Sequence, residues 1–184
     1  ETEYTAPAWF GEGVMYHVFV DRFAKGDGET HRRTGPRSPE INPDWENGTP
    51  QFAPYPGADL PNNEFFGGDL YGIIEKLDYI ASLGANCLYL SPIFDSPSNH
   101  KYDTGDYFKI DEMFGGEEAF LNLLEKANAL DIKIMLDGVF NHTGNDSLYF
   151  EATEELIETK LKFIPYFAYA NRGETDMLVW ILKK

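Results

Sequence analysis

Two segments of this chain carry the same two-part pattern, and that repetition narrows the possible folds more than any other feature. In Leu70 to Leu83 the residues Leu70, Ile73, Ile74, Leu77, Ile80, Ala81 and Leu83 recur near helical spacing, with Asp69 placed to cap the start and Gly84 to stop the end. Directly behind it, Asn86 to Ile93 (NCLYLSPI) is a short, almost continuous apolar run, as a strand buried on both faces requires. The pattern then returns. Glu117 to Leu130 predicts a helix through Phe120, Leu123, Leu124 and Ala127, and Ile132 to Phe140 (IKIMLDGVF) predicts another buried strand. Upstream, the β-branched and aromatic run Val14 to Phe19 (VMYHVF) predicts a first strand, which ends in the polar pair Asp21-Arg22. Strands linked through helices pair in parallel by right-handed crossovers, so the fold class is α/β, either a closed barrel or a doubly wound sheet. The pattern by itself leaves both open.

Between these elements lie two long connections. Ala24 to Asn63 is rich in Gly, Pro and charge and shows no sustained period; Phe94 to Asp111 also reads as a loop. Loops this long inside a compact domain tend to be functional. In either architecture chemistry gathers at the carboxyl ends of the strands, where this chain places Asp21-Arg22, Ser91 onward, and Asp137 to His142.

The formal net charge of −16 argues against broad electrostatic attraction to nucleic acid or to an anionic membrane, and favours a neutral or diffusible partner. The 14 Phe, 11 Tyr and 3 Trp suit the apolar faces of sugar rings, although core packing accounts for them equally simply. The single cysteine, Cys87, sits in an apolar run and is expected to be a buried structural thiol. No stretch is long and apolar enough to span a bilayer, and the first residues, ETEYTAPAWF, lack the layout of a signal peptide. The expectation is a soluble, cytoplasmic protein, with a signal removed upstream of this numbering invisible to the argument.

DGVFNH, Asp137 to His142, carries the sharpest chemistry. If the strand ran on, Asp137, Val139 and Asn141 would share one face, and a bend near Asn141 would let His142 join Asp137. A carboxylate at the end of a buried strand is costly unless hydrogen-bonded, so a functional reading stands beside a structural one. The loop Ser96 to Phe108 concentrates His100, Lys101, Tyr102, Asp103, Asp106 and Tyr107, with Tyr102 either a sugar-stacking face or an anchor for the loop. FFGGDL, Phe65 to Leu70, reads as a tight turn leading into a helix cap. His17 in the first strand and His31 in the long loop have no metal-ligating neighbour at zinc-like spacing, and neither is assigned chemistry.

Taken in order, VFVDRFAKGD, FFGGDLYGIIEKLDYIASLGANCLYLSPIFDSPSNHKYDTGDYFKID, FGGEEAF and IKIMLDGVFNHTG resemble the α-amylase family of glycoside hydrolases, nearest the neopullulanase, cyclomaltodextrinase and maltogenic amylase group. The likeness runs from Val14 to about Phe150. It implies a TIM (β/α)8 barrel, of which residues 1–150 would hold about the first three βα units, and cleavage of α-glucosidic bonds with retention. Asp137 and His142 match the family motif that holds the sugar where cleavage occurs, and Tyr102 matches its stacking tyrosine. The implied partner is a maltooligosaccharide or cyclodextrin substrate, with no nucleic acid or membrane partner, and the resemblance allows a homo-oligomer of the intact enzyme. Asn141 matches an asparagine that binds calcium in many classical amylases but is often only a hydrogen-bonder in the cyclomaltodextrinase-like group. Asp27, Gly67 and Asp69 match ligand positions of a second calcium site. That match is incomplete, because Lys25 stands where the group commonly has asparagine, and Thr30 and His31 replace further oxygen ligands. A lysine ammonium there would repel calcium and favours loss of the site, or a salt bridge to Asp27 or Asp69.

Retaining hydrolysis needs two carboxylates about 5–5.5 Å apart. In the family they follow the fourth and fifth strands, so no catalytic acid is expected in this chain. Residues 151–184 resemble no family motif and are expected to be a divergent tail, with Glu154, Glu155 and Glu158 on a solvated face. The leading expectation is a truncated form of an α-glucan hydrolase. The alternative is a non-catalytic maltooligosaccharide-binding or assembly module; a nucleotide-binding sheet ranks last, because no GxGxxG or phosphate loop follows any strand. The chain alone should release no reducing sugar from maltodextrin or cyclodextrin, and robust release abolished by Glu158→Ala would overturn this reading of the tail.

Overall fold

In the computed structural model, which describes residues 8–28, 30, 38–58, 60 and 62–149, the predicted strands lie side by side. In chain order the elements are β1 (Val14–Val18), β2 (Glu40–Ile41), β3 (Glu64–Phe65), α1 (Leu70–Glu75), α2 (Leu77–Ser82), β4 (Ala85–Leu90), β5 (Phe94–Asp95), β6 (Asp106–Ile110), α3 (Gly116–Ala129) and β7 (Lys133–Leu136). Strands β1, β4 and β7 form one parallel sheet in that order. His31, the tail 151–184 and its Glu154, Glu155 and Glu158 lie outside the described residues.

The register assigns every side chain of the sheet to a face. His17 pairs with Tyr89 and Tyr89 with Met135, while Val18 pairs with Leu90 and Leu90 with Leu136. Because side chains alternate along a strand, Val18, Leu88, Leu90, Ile134 and Leu136 share the helix-facing side. There they join Leu70, Ile73, Leu77, Ile80, Leu123 and Ala127 in one core. The opposite side carries His17, Cys87, Tyr89 and Met135. Cys87 is free and buried, as expected, and burial pushes its thiol pKa up.

Asp69 caps α1 by accepting from the Gly72 amide at 2.7 Å, and Gly84 ends the helical segment at φ +79. The predicted single helix is divided, because Lys76 leaves helical geometry at φ −102, ψ 2 and its amide turns back to the Ile73 and Ile74 carbonyls. The loop after β4 contains an antiparallel hairpin, β5 with β6. Its half-buried and exposed residues do not alternate, so no period-two signal marked it. Strand β7 is shorter than predicted and ends at Leu136, although the Asp137 amide still reaches the Leu90 carbonyl at 3.2 Å.

Two buried charges hold the loops above the sheet. Asp21 is fully buried and accepts from the Phe66 amide at 3.0 Å, the Gly67 amide at 3.1 Å and Arg22 Nε at 2.6 Å. The turn it clasps approaches so closely that a side chain on Gly68 would meet the Val20 carbonyl oxygen at 2.3 Å. Lys101, also fully buried, donates from Nζ to Asp111 Oδ2 at 2.7 Å and to the Ser96 carbonyl at 2.8 Å. Its ammonium lies 4.9 Å and 5.0 Å from the ring centres of Phe65 and Phe114. Removing one member of such a pair strands the other in the core. Lys101→Met should therefore cost about 3–5 kcal/mol in denaturant unfolding, with the Asp111 carboxylate left without its ammonium.

Candidate functional site at the strand ends

Three polar groups are delivered to one place by the ends of β4 and β7 and by the loop that joins β5 to β6. Asp137 follows β7 directly, its backbone held by the last ladder bond to Leu90. Tyr102 Oη donates to Asp137 Oδ2 at 2.9 Å, and Tyr89 Oη donates to the same oxygen at 2.6 Å. Asp137 Oδ1 accepts no hydrogen bond from the described residues, which leaves it the oxygen available to a ligand. Tyr102 is 39% exposed, so one ring face is open to solvent while its hydroxyl is committed.

Lys101 adopts a left-handed backbone, φ +62, immediately before Tyr102, and its buried side chain prevents the turn from sliding. Below it Ser96 Oγ donates to Asp103 Oδ1 at 2.6 Å, and Ser98 Oγ bonds the same oxygen. On the other side of the site, the Tyr107 hydroxyl lies against the carbonyls of Val139 and His142, 2.7 Å from the latter. Tyr107 thus shapes the backbone of DGVFNH from outside it.

His142 does not join Asp137. The chain does bend at Asn141, but His142 Nδ1 lies 3.2 Å from Asn141 Oδ1 and the ring makes no hydrogen bond to Asp137. Val139 is buried and Phe140 is 65% exposed, although β7 itself ends before this motif, at Leu136.

The sequence pattern gave Tyr89 and His17 no role and marked Ser91 only as a polar residue at a strand end. His17, to which no chemistry was assigned, stacks on Tyr89 with ring centres 4.8 Å apart and planes 26° apart, and its Nε2 lies 2.9 Å from Ser91 Oγ. A signal was present: Cys87, Tyr89 and Ser91 alternate along NCLYLS and so share one face. It was masked by reading the run as uniformly apolar.

The electrostatics follow from the geometry. Donation to the Asp137 carboxylate, aided by burial, pushes the Tyr89 phenol up to about 12, so it remains a donor at ordinary pH. Burial and the same carboxylate raise Tyr102 as well.

Aromatic and carboxylate groups thus gather at the carboxyl ends of a parallel β/α sheet, where (β/α)-barrel proteins build their ligand sites. The comparisons make this specific. The chain belongs to the α-amylase family, whose catalytic domain matches residues 17–175, and its fold is that family's TIM barrel, with β1, β4 and β7 as consecutive strands. Over 154 residues it is 50% identical to an amylopullulanase of Thermoanaerobacterium saccharolyticum, covering 77% of this chain and 12% of that protein. Over 144 residues it is 44% identical to the intracellular maltogenic amylase of Bacillus subtilis, covering 78% of this chain and 22% of the relative. A cyclic α-maltosyl-(1→6)-maltose hydrolase of Arthrobacter globiformis, solved in complex with maltose, superposes with a TM-score of 0.67 at 38% identity, covering 87% of this chain and 32% of the other. The chain thus spans about an eighth to a third of the length of these relatives.

Of the residues matched to calcium positions, Asp69 and Asn141 have a side-chain oxygen engaged within the fold. Asp69 Oδ1 is spent on the Gly72 amide at 2.7 Å and the Gly26 amide at 3.1 Å, and burial raises its carboxyl pKa despite those donors. The Gly67 amide donates to Asp21, the Asp27 amide donates to Glu75, and Asn141 faces His142. Among the described residues no three acidic, imidazole or thiol side chains gather as a metal would require. No chemistry is routed through calcium here.

The raised Tyr89 pKa has a definite sign in pH. The phenol binds its proton more tightly folded than unfolded, so the contribution is fully present below the ordinary value near 10 and is lost as pH climbs towards about 12. Asp137→Asn removes the main cause, and tyrosinate absorbance should then show this phenol ionising at lower pH; an unchanged titration would refute the coupling.

Proposed function

We propose that this chain supplies the sugar-gripping part of the active site of a retaining α-glucan hydrolase, one acting on α-1,4 and also α-1,6 bonds of maltodextrin, cyclodextrin or pullulan. The observation that carries the reading is the pairing of Tyr102 with Asp137 at the end of β7, with a ring face exposed and a carboxylate oxygen unengaged. Membership of the α-amylase family supports it.

The geometry suits a neutral polyhydroxylated ring. A sugar presents an apolar face and a rim of hydroxyls, and the Tyr102 ring can cover the first while Asp137 Oδ1 accepts from the second. A carboxylate acceptor makes hydrogen bonds roughly twice as strong as neutral ones, which favours orientation over mere capture. Both partners of Asp137 Oδ2 are phenols, not a second carboxyl group. Retaining cleavage needs a pair of carboxylates, so we assign Asp137 to holding the substrate and bond breaking to acids other than Asp137. His142 enters this site only if its ring leaves Asn141, and in that role it would add a second donor to the sugar rim.

Calorimetric titration of the chain with maltooligosaccharide tests the reading. Saturable binding is expected, weakened about tenfold or more by Tyr102→Ala or Asp137→Ala with the melting temperature little changed. Absence of binding by the wild-type chain, or full affinity in Tyr102→Ala, would overturn it.

A further inference from the structure

The two phenols on Asp137 Oδ2 are not equivalent. Tyr102 is carried by a loop and is 39% exposed. Tyr89 projects from the central strand of the sheet, with His17 and Met135 as its register partners on either side. Its hydrogen bond is the shorter, 2.6 Å against 2.9 Å. Its ring is braced by the His17 imidazole at 4.8 Å, and that imidazole is itself held at 2.9 Å from the buried Ser91 hydroxyl. A chain of contacts therefore runs from the Ser91 hydroxyl through His17 and Tyr89 to the carboxylate, all on the sheet face opposite the core.

We propose that Tyr89, braced by His17 and Ser91, is a positioning residue of the saccharide site: it pins Oδ2 of Asp137 so that Oδ1 and the Tyr102 ring are presented to the sugar in one fixed pose. The inference rests on the reading of Asp137 and Tyr102 as the sugar-gripping pair. A carboxylate held by one bond alone would rotate about its side-chain torsions, and each rotation would carry away the acceptor and release the Tyr102 hydroxyl. The second bond, from a ring fixed in a strand, removes that freedom before the ligand arrives, so the ordering cost does not fall on binding. Because both phenols act on one oxygen, each partly covers for the other, and loss of both must exceed the combined single losses.

The experiment uses the full chain, maltooligosaccharide titration calorimetry and thermal melting. Tyr89→Phe keeps the ring and its stack on His17 and deletes only the donor. Affinity should fall about tenfold in Tyr89→Phe, about threefold in Tyr102→Phe and about a hundredfold in the double variant, more than the product of the singles. Melting temperatures should stay close to wild type, because the Phe ring still fills the space. His17→Ala, which removes the brace, should shift affinity in the same direction as Tyr89→Phe. Wild-type binding with no loss in Tyr89→Phe, or with losses that simply multiply, overturns this inference and leaves the saccharide site standing. A Tyr89→Phe chain that loses its cooperative melt marks the phenol as a structural anchor and also overturns it. Failure of the wild-type chain to bind at all overturns the saccharide site, and this inference with it.

Discussion

The parallel register of β4 between β1 and β7 is the constraint from which the rest of the site follows. In a parallel ladder the pairing of one residue decides the face of every other, because side chains alternate with a period of two. Pairing Tyr89 with His17 on one side and Met135 on the other puts the phenol, the imidazole and the start of the Asp137 segment on one face. A slip of one residue would send Tyr89 into the core and Leu88 or Leu90 into the site. Burial forbids that slip: Leu88 and Leu90 are fully enclosed against helices α1, α2 and α3, and exchanging them for a phenol and a thiol would forfeit most of that apolar burial.

The carboxylates of this acidic chain divide by what surrounds them. Asp21 is surrounded by backbone amides and an arginine, Asp69 caps a helix, and Asp111 neutralises a buried lysine while capping the turn that leads into α3. Each accepts from donors that belong to the fold. Asp137 differs in that, among the described residues, its side-chain donors are two phenols. Phenol donors stay protonated against a carboxylate, so they hold it without neutralising it. That is the difference between a carboxylate that holds a loop and one still able to bind a ligand.

Above the sheet, the loop bearing Tyr102 depends on a buried ion pair where a pair of well-packed apolar residues could have served stability alone. An ammonium in the core is costly unless its donors are met, and Lys101 meets them with Asp111, the Ser96 carbonyl and two aromatic faces. Directional bonds fix the left-handed turn at Lys101 in a way that hydrophobic contact, which has no direction, does not. The exposed Tyr102 inherits that order through one peptide bond.

How much of this was legible beforehand depended on the range of the interaction. Helical periodicity at Leu70 to Leu83, the Asp69 cap, the Gly84 stop and the apolar runs that became β4 and β7 are local, and local sterics and burial determine them residue by residue. The ordered motifs also singled out Tyr102 and Asp137, which the structure brings into hydrogen-bond contact. The β5–β6 hairpin and the partners of Asp137 could not be read locally. The hairpin pairs Phe94 with Ile110 and Asp95 with Asp106, and Asp137 finds Tyr102 and Tyr89 from 35 and 48 positions away. For DGVFNH, then, the sequence by itself determined an acid at the end of a buried strand. Only the tertiary structure decided that two phenols, one backed by His17, would hold that acid, because those contacts exist only once the fold has brought distant segments together.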